Sequence, residues 1–457
     1  MAVSEASRHN RIIALMALVK LVLTADFAIV SIAIPSIGRD LGVGPALLSW
    51  IVTANTLVLA GTLIIGGKLV DRFGHRRALV LGILMFSAGS IGAGLAPSFA
   101  FVLLARTMQA LAVALLSPAA FSLLTAFLPD GPVRHRALGV FGITQGASLI
   151  LGLLCGGWIV SAFGWRAVFL VNVPLLAIAL VMALRFVPKA PVLAKEPVDI
   201  GGAVTLTTAL VLFVSSVVML GKVGPTPLAL GMLGGSAIAG MAFAMIERRV
   251  SVPLVPPSLF SRPLFGLAAW MLLLFLGGVG GLMVLSQLYM QRVLGFSAAS
   301  AGLGAMPYAL AVIAAGHMAP TLLARFSVRT AAIGAALLNL TGFLWLAATM
   351  GQPYALSVAP ALVICALGSV TTFIVLMQAA TSPLAPAEQG VGSAVLFTAQ
   401  QVGTGLGASV TMLLLDTSSG DPTADSFRLP FLVLAAGIAI ALTSLLTLGP
   451  RREPLTT

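Results

Sequence analysis

Charge is what this 457-residue chain has least of: 8% of its residues are Asp, Glu, Lys or Arg, against about 25% in an ordinary soluble domain. With 59% of residues hydrophobic, no water-soluble fold of this size can hide the apolar surface, so a soluble globular protein is excluded. Cysteine is nearly missing as well. Cys155 and Cys365 each stand inside an apolar run, without a second cysteine or a histidine at ligand spacing, and neither a disulfide framework nor a metal site is expected. No redox ligand cluster or catalytic dyad occurs. The segment Gly66-Gly67-Lys68-Leu69 looks like part of a phosphate-binding loop, but Thr62 stands where the earlier glycine belongs and no Ser or Thr follows the lysine. An enzyme and a cofactor are therefore not expected.

What is there is a series of apolar runs such as residues 12–34, IIALMALVKLVLTADFAIVSIAI. About 20 apolar residues in a helix rising about 1.5 Å each match a hydrocarbon core roughly 30 Å thick, and the helix satisfies its own backbone polar groups. Fourteen spans are expected, at 12–34, 47–69, 78–96, 99–127, 137–162, 167–187, 200–220, 226–247, 264–288, 299–323, 331–349, 355–379, 391–415 and 429–448. The first run is too long for a signal-peptide core and no small-residue cleavage site follows it, so it reads as a retained span.

The net charge of +12 does not point to nucleic acid, because the basic residues sit in short connections between spans rather than along one helix face. With both termini inside, eighteen basic residues fall on the inner side: Arg8, Arg11, Lys68, Arg72, Arg76, Arg77, Arg134, Arg136, Arg185, Lys189, Lys195, Arg248, Arg249, Arg262, Arg325, Arg329, Arg451 and Arg452. Five fall outside: Arg39, Arg166, Lys222, Arg292 and Arg428. A miscounted span in the middle would scramble that bias, so span count and orientation support each other. Arginine outnumbers lysine twenty to five and alanine and glycine abound, which fits a bacterium with GC-rich DNA. A multi-pass protein of the bacterial cytoplasmic membrane, with both termini cytoplasmic, is the expected location.

An internal repeat sets the organisation. The loop GKLVDRFGHRRALVLG (67–82) and the loop PTLLARFSVRTAAIG (320–334) align Arg72-Phe73 with Arg325-Phe326 and Arg76 with Arg329. Related loops eight spans apart imply two six-span units with an extra pair between them. The expected division is 1–190 for the first six-helix half, 191–262 for a linker and two additional helices, and 263–457 for the second half, with the Pro- and charge-rich PKAPVLAKEPVD segment at the insertion boundary.

These residues resemble the major facilitator superfamily, and within it the fourteen-span drug:proton antiporter branch, over nearly the whole chain. Gly67-Lys68-Leu69-Val70-Asp71-Arg72-Phe73-Gly74-His75-Arg76-Arg77 is similar to the superfamily's G-x-L-a-D-r-x-G-r-r loop. Ala25-Asp26 through Pro35 resembles the branch's first-span pattern, with Ala28 and Ser31 where Thr and Asn are usual. Span 4 has the family's R-x-x-Q-G motif at Arg106 and Gln109, with Ala110 in place of glycine. Span 5 carries Gly146 and then Gly152-Leu153-Leu154-Cys155-Gly156-Gly157, similar to the antiporter motif ending G-P-x-x-G-G, with Leu153 in place of its proline. Gly164-Trp165-Arg166, Phe169 through Pro174, Gln287 through Gln291 and Gln400-Gln401-Val402-Gly403 look like the same branch. The resemblance implies an all-α membrane fold of 14 helices (6 + 2 + 6), with two pseudo-symmetric halves around a central cavity.

Charge inside a bilayer costs several kcal/mol, so each intramembrane ionisable group calls for a functional reading. Of thirteen acidic residues only Asp26 lies well within a span. It is the candidate proton carrier, unless it is a structural aspartate bonded to a neighbouring helix. Arg106 is its basic counterpart: Asp26 lies about 13 Å below the outer end of span 1 and Arg106 about 11 Å into span 4, so the two can meet at one level. Lateral proximity is what the resemblance implies, since spans 1 and 4 line the cavity. Burial disfavours a charged carboxylate and a guanidinium favours it, so hydration of the cavity would set when the proton is held. Arg106 as a clamp on helix carbonyls stays open.

Lys20 is about 240° around the helix from Asp26 and is expected to snorkel inward. His317, the histidine placed in a span, is a minor coupling candidate against a plain polar helix end. The inner loop residues Gly67, Lys68, Asp71, Arg72, Gly74, Arg76 and Arg77 are read, through the resemblance, as a cytoplasmic gate; a basic loop that fixes topology and touches anionic lipid is the other reading. Gly146, Gly152, Gly156 and Gly157 suit close packing and sliding of helices, or membrane packing in general. Asn55, Gln109, Gln145, Gln287, Gln400 and Gln401 are candidates to line the cavity.

An ion gradient is then the natural energy source. The expected function is a secondary active transporter that exports a lipophilic small molecule (a drug, an antibiotic or a natural product) in exchange for protons by alternating access, as a monomer in the bilayer. Proton-coupled import of a metabolite stays open, since the motif proline is missing. A membrane-embedded enzyme or a scaffold is the reading from another class.

Overall fold

The computed structural model describes residues 5–48, 50–129, 131–188, 199–250, 253–385, 388–415 and 423–448. The linker 189–198, with Lys189 and Lys195, and Asp416, Arg451 and Arg452 lie outside the described residues. Among those described every regular element is helical. In chain order the main helices are α1 (Glu5–Leu41), α2 (Trp50–Phe73), α3 (His75–Gly94), α4 (Phe99–Phe127), α5 (Pro132–Phe163), α6 (Trp165–Leu170), α7 (Asn172–Phe186), α8 (Ile200–Val223), α9 (Pro227–Glu247), α10 (Pro263–Arg292), α11 (Met306–Arg325), α12 (Val328–Thr349), α13 (Val358–Thr381), α14 (Gln389–Leu414) and α15 (Arg428–Leu448).

Twelve stretches among the described residues are long and apolar enough to cross a membrane, where fourteen were expected. The two that fall short coincide with expected spans 7 and 13. In α8, a helix of 24 residues, the stretch whose side chains are described is Gly201–Val217. In α14 the reason is composition: Ser393, Thr398, Gln400, Gln401, Thr404, Ser409 and Thr411 dilute its apolar content. Elsewhere boundaries shift. The first helix continues through Pro35 to Leu41, and expected span 6 is broken at Val171 into α6 and α7. Gly74 (φ 83°) and Gly164 (φ 80°) each make a one-residue break between consecutive helices in the left-handed region that glycine enters without strain.

The chain forms two compact units. The first comprises Met1–Thr207, Ile246–Val255 and Leu384–Val395. In it α1 packs on α5, α3 on α4, α2 on α4, and α7 on both α1 and α3. Its core is built of Ala25, Ile29, Ala33, Ile37, Val102, Ala105, Trp165 and Phe169, small and large side chains interleaved so that helices approach closely. The second comprises Thr208–Met245, Pro256–Pro383 and Leu396–Thr457. There α12 packs on α13, α11 on α13, and α15 on both α10 and α12. The additional helices α8 and α9 are tied to each other where Ser216 donates to the Ala229 carbonyl and Ser236 to the Ala209 carbonyl, each at 2.8 Å. Only 11% of the apolar window of α9 is buried, and Leu228, Leu230, Ile238, Met241 and Met245 are exposed along it, as suits a lipid-facing helix.

Candidate functional site

Asp26, mid-way along α1, is 3% exposed and Arg106, in α4, is 2% exposed. They form an ion pair, Arg106 Nη1 to Asp26 Oδ2 at 2.6 Å. The same Nη1 donates to Gln109 Oε1, one helical turn along α4, at 2.9 Å. Gln109 Nε2 donates in turn to Ser90 Oγ of α3 at 2.9 Å. The other carboxylate oxygen, Oδ1, accepts from Asn172 Nδ2 at 2.7 Å, and Asn172 is held there as the first residue of α7, where the helix restarts after Val171. Three helices thus meet at one carboxylate, and α3 joins them through Ser90 and Gln109. Arg106 Nε has no partner, so the guanidinium keeps an unused donor inside the protein.

Removing either charge from such a pair leaves the other buried and uncompensated, at a cost of about 3–5 kcal/mol. Gln109, expected to line a cavity, is fully buried and instead bridges Ser90 to the ion pair.

The inner loop is the second constellation. Asp71, at the end of α2 and 7% exposed, accepts from the backbone N–H of Gly390 at 2.7 Å and of Val391 at 2.8 Å. Those are first-turn amides of α14 that belong to the first unit, and a carboxylate there satisfies donors that lack intrahelical acceptors and faces the positive end of the helix dipole. A Cβ on Gly67 would lie 2.5 Å from the Gly390 carbonyl oxygen, so glycine there permits the approach. Lys68 Nζ donates to the Pro253 carbonyl at 3.4 Å. Arg76 Nη2 donates to the Leu184 carbonyl at the end of α7 at 2.5 Å, Arg72 lies 5.7 Å from the Phe73 ring centre, and Arg77 is exposed.

The glycines of α5 divide. Cβ atoms on Gly152 and Gly156 would meet Ala28 at 2.7 Å and the Ile29 Cα at 3.2 Å, so both lie against α1. Gly146 is buried, while Gly157 has nothing within 4 Å of such an atom. Asn55, Gln145 and Gln401 are half-buried. Gln287 Nε2 donates to the Ala301 carbonyl at 3.1 Å, and Gln400 keeps a buried Oε1 without a partner. Lys20 does not snorkel: its ammonium lies 4.7 Å from the centre of the buried Phe141 ring, a cation–π contact that holds it inside the helix packing. His317 is exposed.

Ser90 and Asn172, as partners of the charge pair, were not foreseen, nor were Gly390 and Val391 as partners of Asp71. A lone amide in the apolar run of Asn172 was the available signal for the first.

Several known proteins are similar to this chain. A lincomycin resistance protein of Streptomyces lincolnensis is 33% identical over 459 residues, covering 99% of this chain and 94% of that protein. A cephamycin export protein of Amycolatopsis lactamdurans is 34% identical over 406 residues (86% and 82%), and a puromycin resistance protein of Streptomyces alboniger 32% identical over 410 residues (89% and 80%). Among solved structures, the proton:xylose symporter XylE superposes with a TM-score of 0.70 at 14% identity, covering 98% of this chain and 97% of that one. The human organic anion transporter MFSD10 does so with 0.69 at 16% identity (96% and 99%), so the fold is shared while sequence has diverged. The profile of the Major Facilitator Superfamily matches residues 16–408, and the chain belongs to that superfamily of membrane transporters.

Proposed function

We propose that this protein exports a lipophilic small molecule, of the antibiotic or natural-product kind, in exchange for protons. The observation that carries the reading is the buried Asp26–Arg106 pair at 2.6 Å, a titratable carboxylate with no structural need that an apolar pair would not meet more cheaply. Relatives named for antibiotic resistance and export supply the substrate class and direction. In this reading Asp26 takes a proton from the outer side, Arg106 turns to Gln109, and the change of partners favours inward opening, where the proton leaves. Substrate binds near the bilayer midplane between two six-helix halves. Asp71 on the first turn of α14 acts as the latch of the inward-closed state. Asn55, Gln145, Gln287, Gln400 and Gln401 are its polar contacts to substrate.

The proposal includes α8 and α14 as full spans, which gives fourteen with both termini on the cytoplasmic side of a bacterial inner membrane, and a monomer as the working unit. Inside-out vesicles test it. With an acid interior, a panel of lipophilic fluorescent compounds should include one that accumulates and is released by a protonophore; accumulation only with the gradient reversed would indicate proton-coupled import instead.

A further inference from the structure

A groove of about 450 Å³ opens on the first unit beside the inner loop, away from the Asp26 pair. Its lining joins two chemistries: Phe73, Val80, Leu81, Leu84 and Leu184 form an apolar wall, and Arg76 and Arg77 are its basic members. Leu81, Leu84 and Leu184 are 45%, 48% and 48% exposed and Phe73 is 42% exposed, so the wall is open to the surroundings. No acidic residue lines the groove. The positive charge extends past it: Arg185 follows Leu184 in sequence, and the Arg11 guanidinium lies 4.7 Å from the ring centre of Phe186.

We infer that this groove binds one anionic phospholipid, its phosphate between Arg76 and Arg77 and an acyl chain along Leu81, Leu84 and Leu184. Two features select lipid over a soluble anion. The apolar wall runs from Arg77 along one face of α3, since 77, 80, 81 and 84 recur at helical spacing, so a ligand held by the arginines continues into hydrocarbon. A groove of this size with no hydrocarbon in it would leave five large apolar side chains facing nothing they can pack on. Charge complementarity selects an anionic headgroup over a zwitterionic one. Arg76 spends one nitrogen on the Leu184 carbonyl and keeps further donors for a phosphate oxygen, and basic pockets between helices at a membrane surface take such headgroups. Because Arg76 and Arg77 lie in the first turn of α3, just past the one-residue break at Gly74, a seated lipid would hold the start of α3 and so bear on the loop.

Full-length protein, stripped of lipid in detergent and then titrated with phosphatidylglycerol or with phosphatidylcholine of the same acyl chains, is followed by native mass spectrometry. The expected result is one phosphatidylglycerol retained about twentyfold or more tightly than phosphatidylcholine, from about fivefold for each arginine. Arg77→Gln should lose about fivefold of that preference, and Leu81→Trp, which fills the wall and leaves both charges, should lower retention of both lipids. The second variant keeps the test decisive if changes at the arginines disturb the fold. Equal retention of the two lipids by the native protein overturns the proposal, as does phosphatidylglycerol binding that Leu81→Trp leaves untouched. Displacement by millimolar inorganic phosphate would assign the arginines to a free anion and overturn it too.

Discussion

The two compact units pair their helices in the same order and spend polarity in opposite ways. In the first, α3 packs on α4, α2 on α4, and α7 on α1 and α3; in the second, leaving out α8 and α9, α12 packs on α13, α11 on α13, and α15 on α10 and α12. Matching contacts recur in detail. Arg76 donates to the Leu184 carbonyl in one unit and Arg329 to the Leu446 carbonyl in the other. The third and fourth helices are joined by Gln109 and Ser90 in the first unit (2.9 Å) and by Ser369 and Asn339 in the second (2.7 Å). Yet Asp26, Asp71, His75, Arg106 and Arg134, the buried acidic and basic side chains among those described, all belong to the first. The second holds neutral amides and hydroxyls in the same layer, and close glycine contacts on both partners of its α10–α14 pair: Gly277 and Gly280 face Gly403 and Thr404. Buried charge is thus concentrated in the first unit, and close neutral packing marks the α10–α14 pair of the second.

The largest expected effect breaks the comparison at its sharpest point. Arg106→Ala leaves the Asp26 carboxylate buried without its cation, which should cost about 3–5 kcal/mol, while Ser369→Ala at the neutral counterpart should cost about 1 kcal/mol. Thermal unfolding of the two variants in detergent checks this, and equal losses would show that the first unit's charge is not special. Next come the glycines. Gly152→Ala drives a methyl against Ala28 and Gly280→Ala one against the Thr404 backbone, each costing about 1–3 kcal/mol, whereas Gly157→Ala meets open space and should raise stability by up to about 1 kcal/mol through helix propensity; melting temperatures separate the three. Smallest is Asp71→Asn, which keeps an acceptor at the α14 amides but loses the charge facing the helix dipole, worth about 0.3–1 kcal/mol. Hydrogen exchange at Gly390 and Val391 should quicken several-fold while amides at the middle of α14 stay as they were.

How much of this was legible in the sequence depends on the range of the interaction. Helix rise placed Asp26 and Arg106 at similar depth because both are counted from nearby helix ends, a local measurement. That Asn172, 146 residues from Asp26, would complete the site depends on how α7 packs against α1, which no periodicity within the run announces. The contact of Asp71 with residues 319 and 320 positions away lies beyond any periodicity argument. Lys20 shows the opposite error. It lies about 240° around the helix from Asp26, but its side chain meets Phe141 on α5, a partner that packing supplies and a helical wheel does not. The span count is hardest to read where composition is intermediate: α14 is a full-length helix whose Ser, Thr and Gln content makes it less apolar than its neighbours.

Proton coupling at Asp26 is the claim on which the rest hangs, and two assays on the same proteoliposomes address it directly. Asp26→Asn protein, with an amide that can neither bind nor release a proton, should still exchange labelled substrate across the membrane when the gradient is absent, and should lose proton-driven accumulation. Accumulation that persists in the variant at native levels, with exchange intact, would place the proton elsewhere and contradict the account.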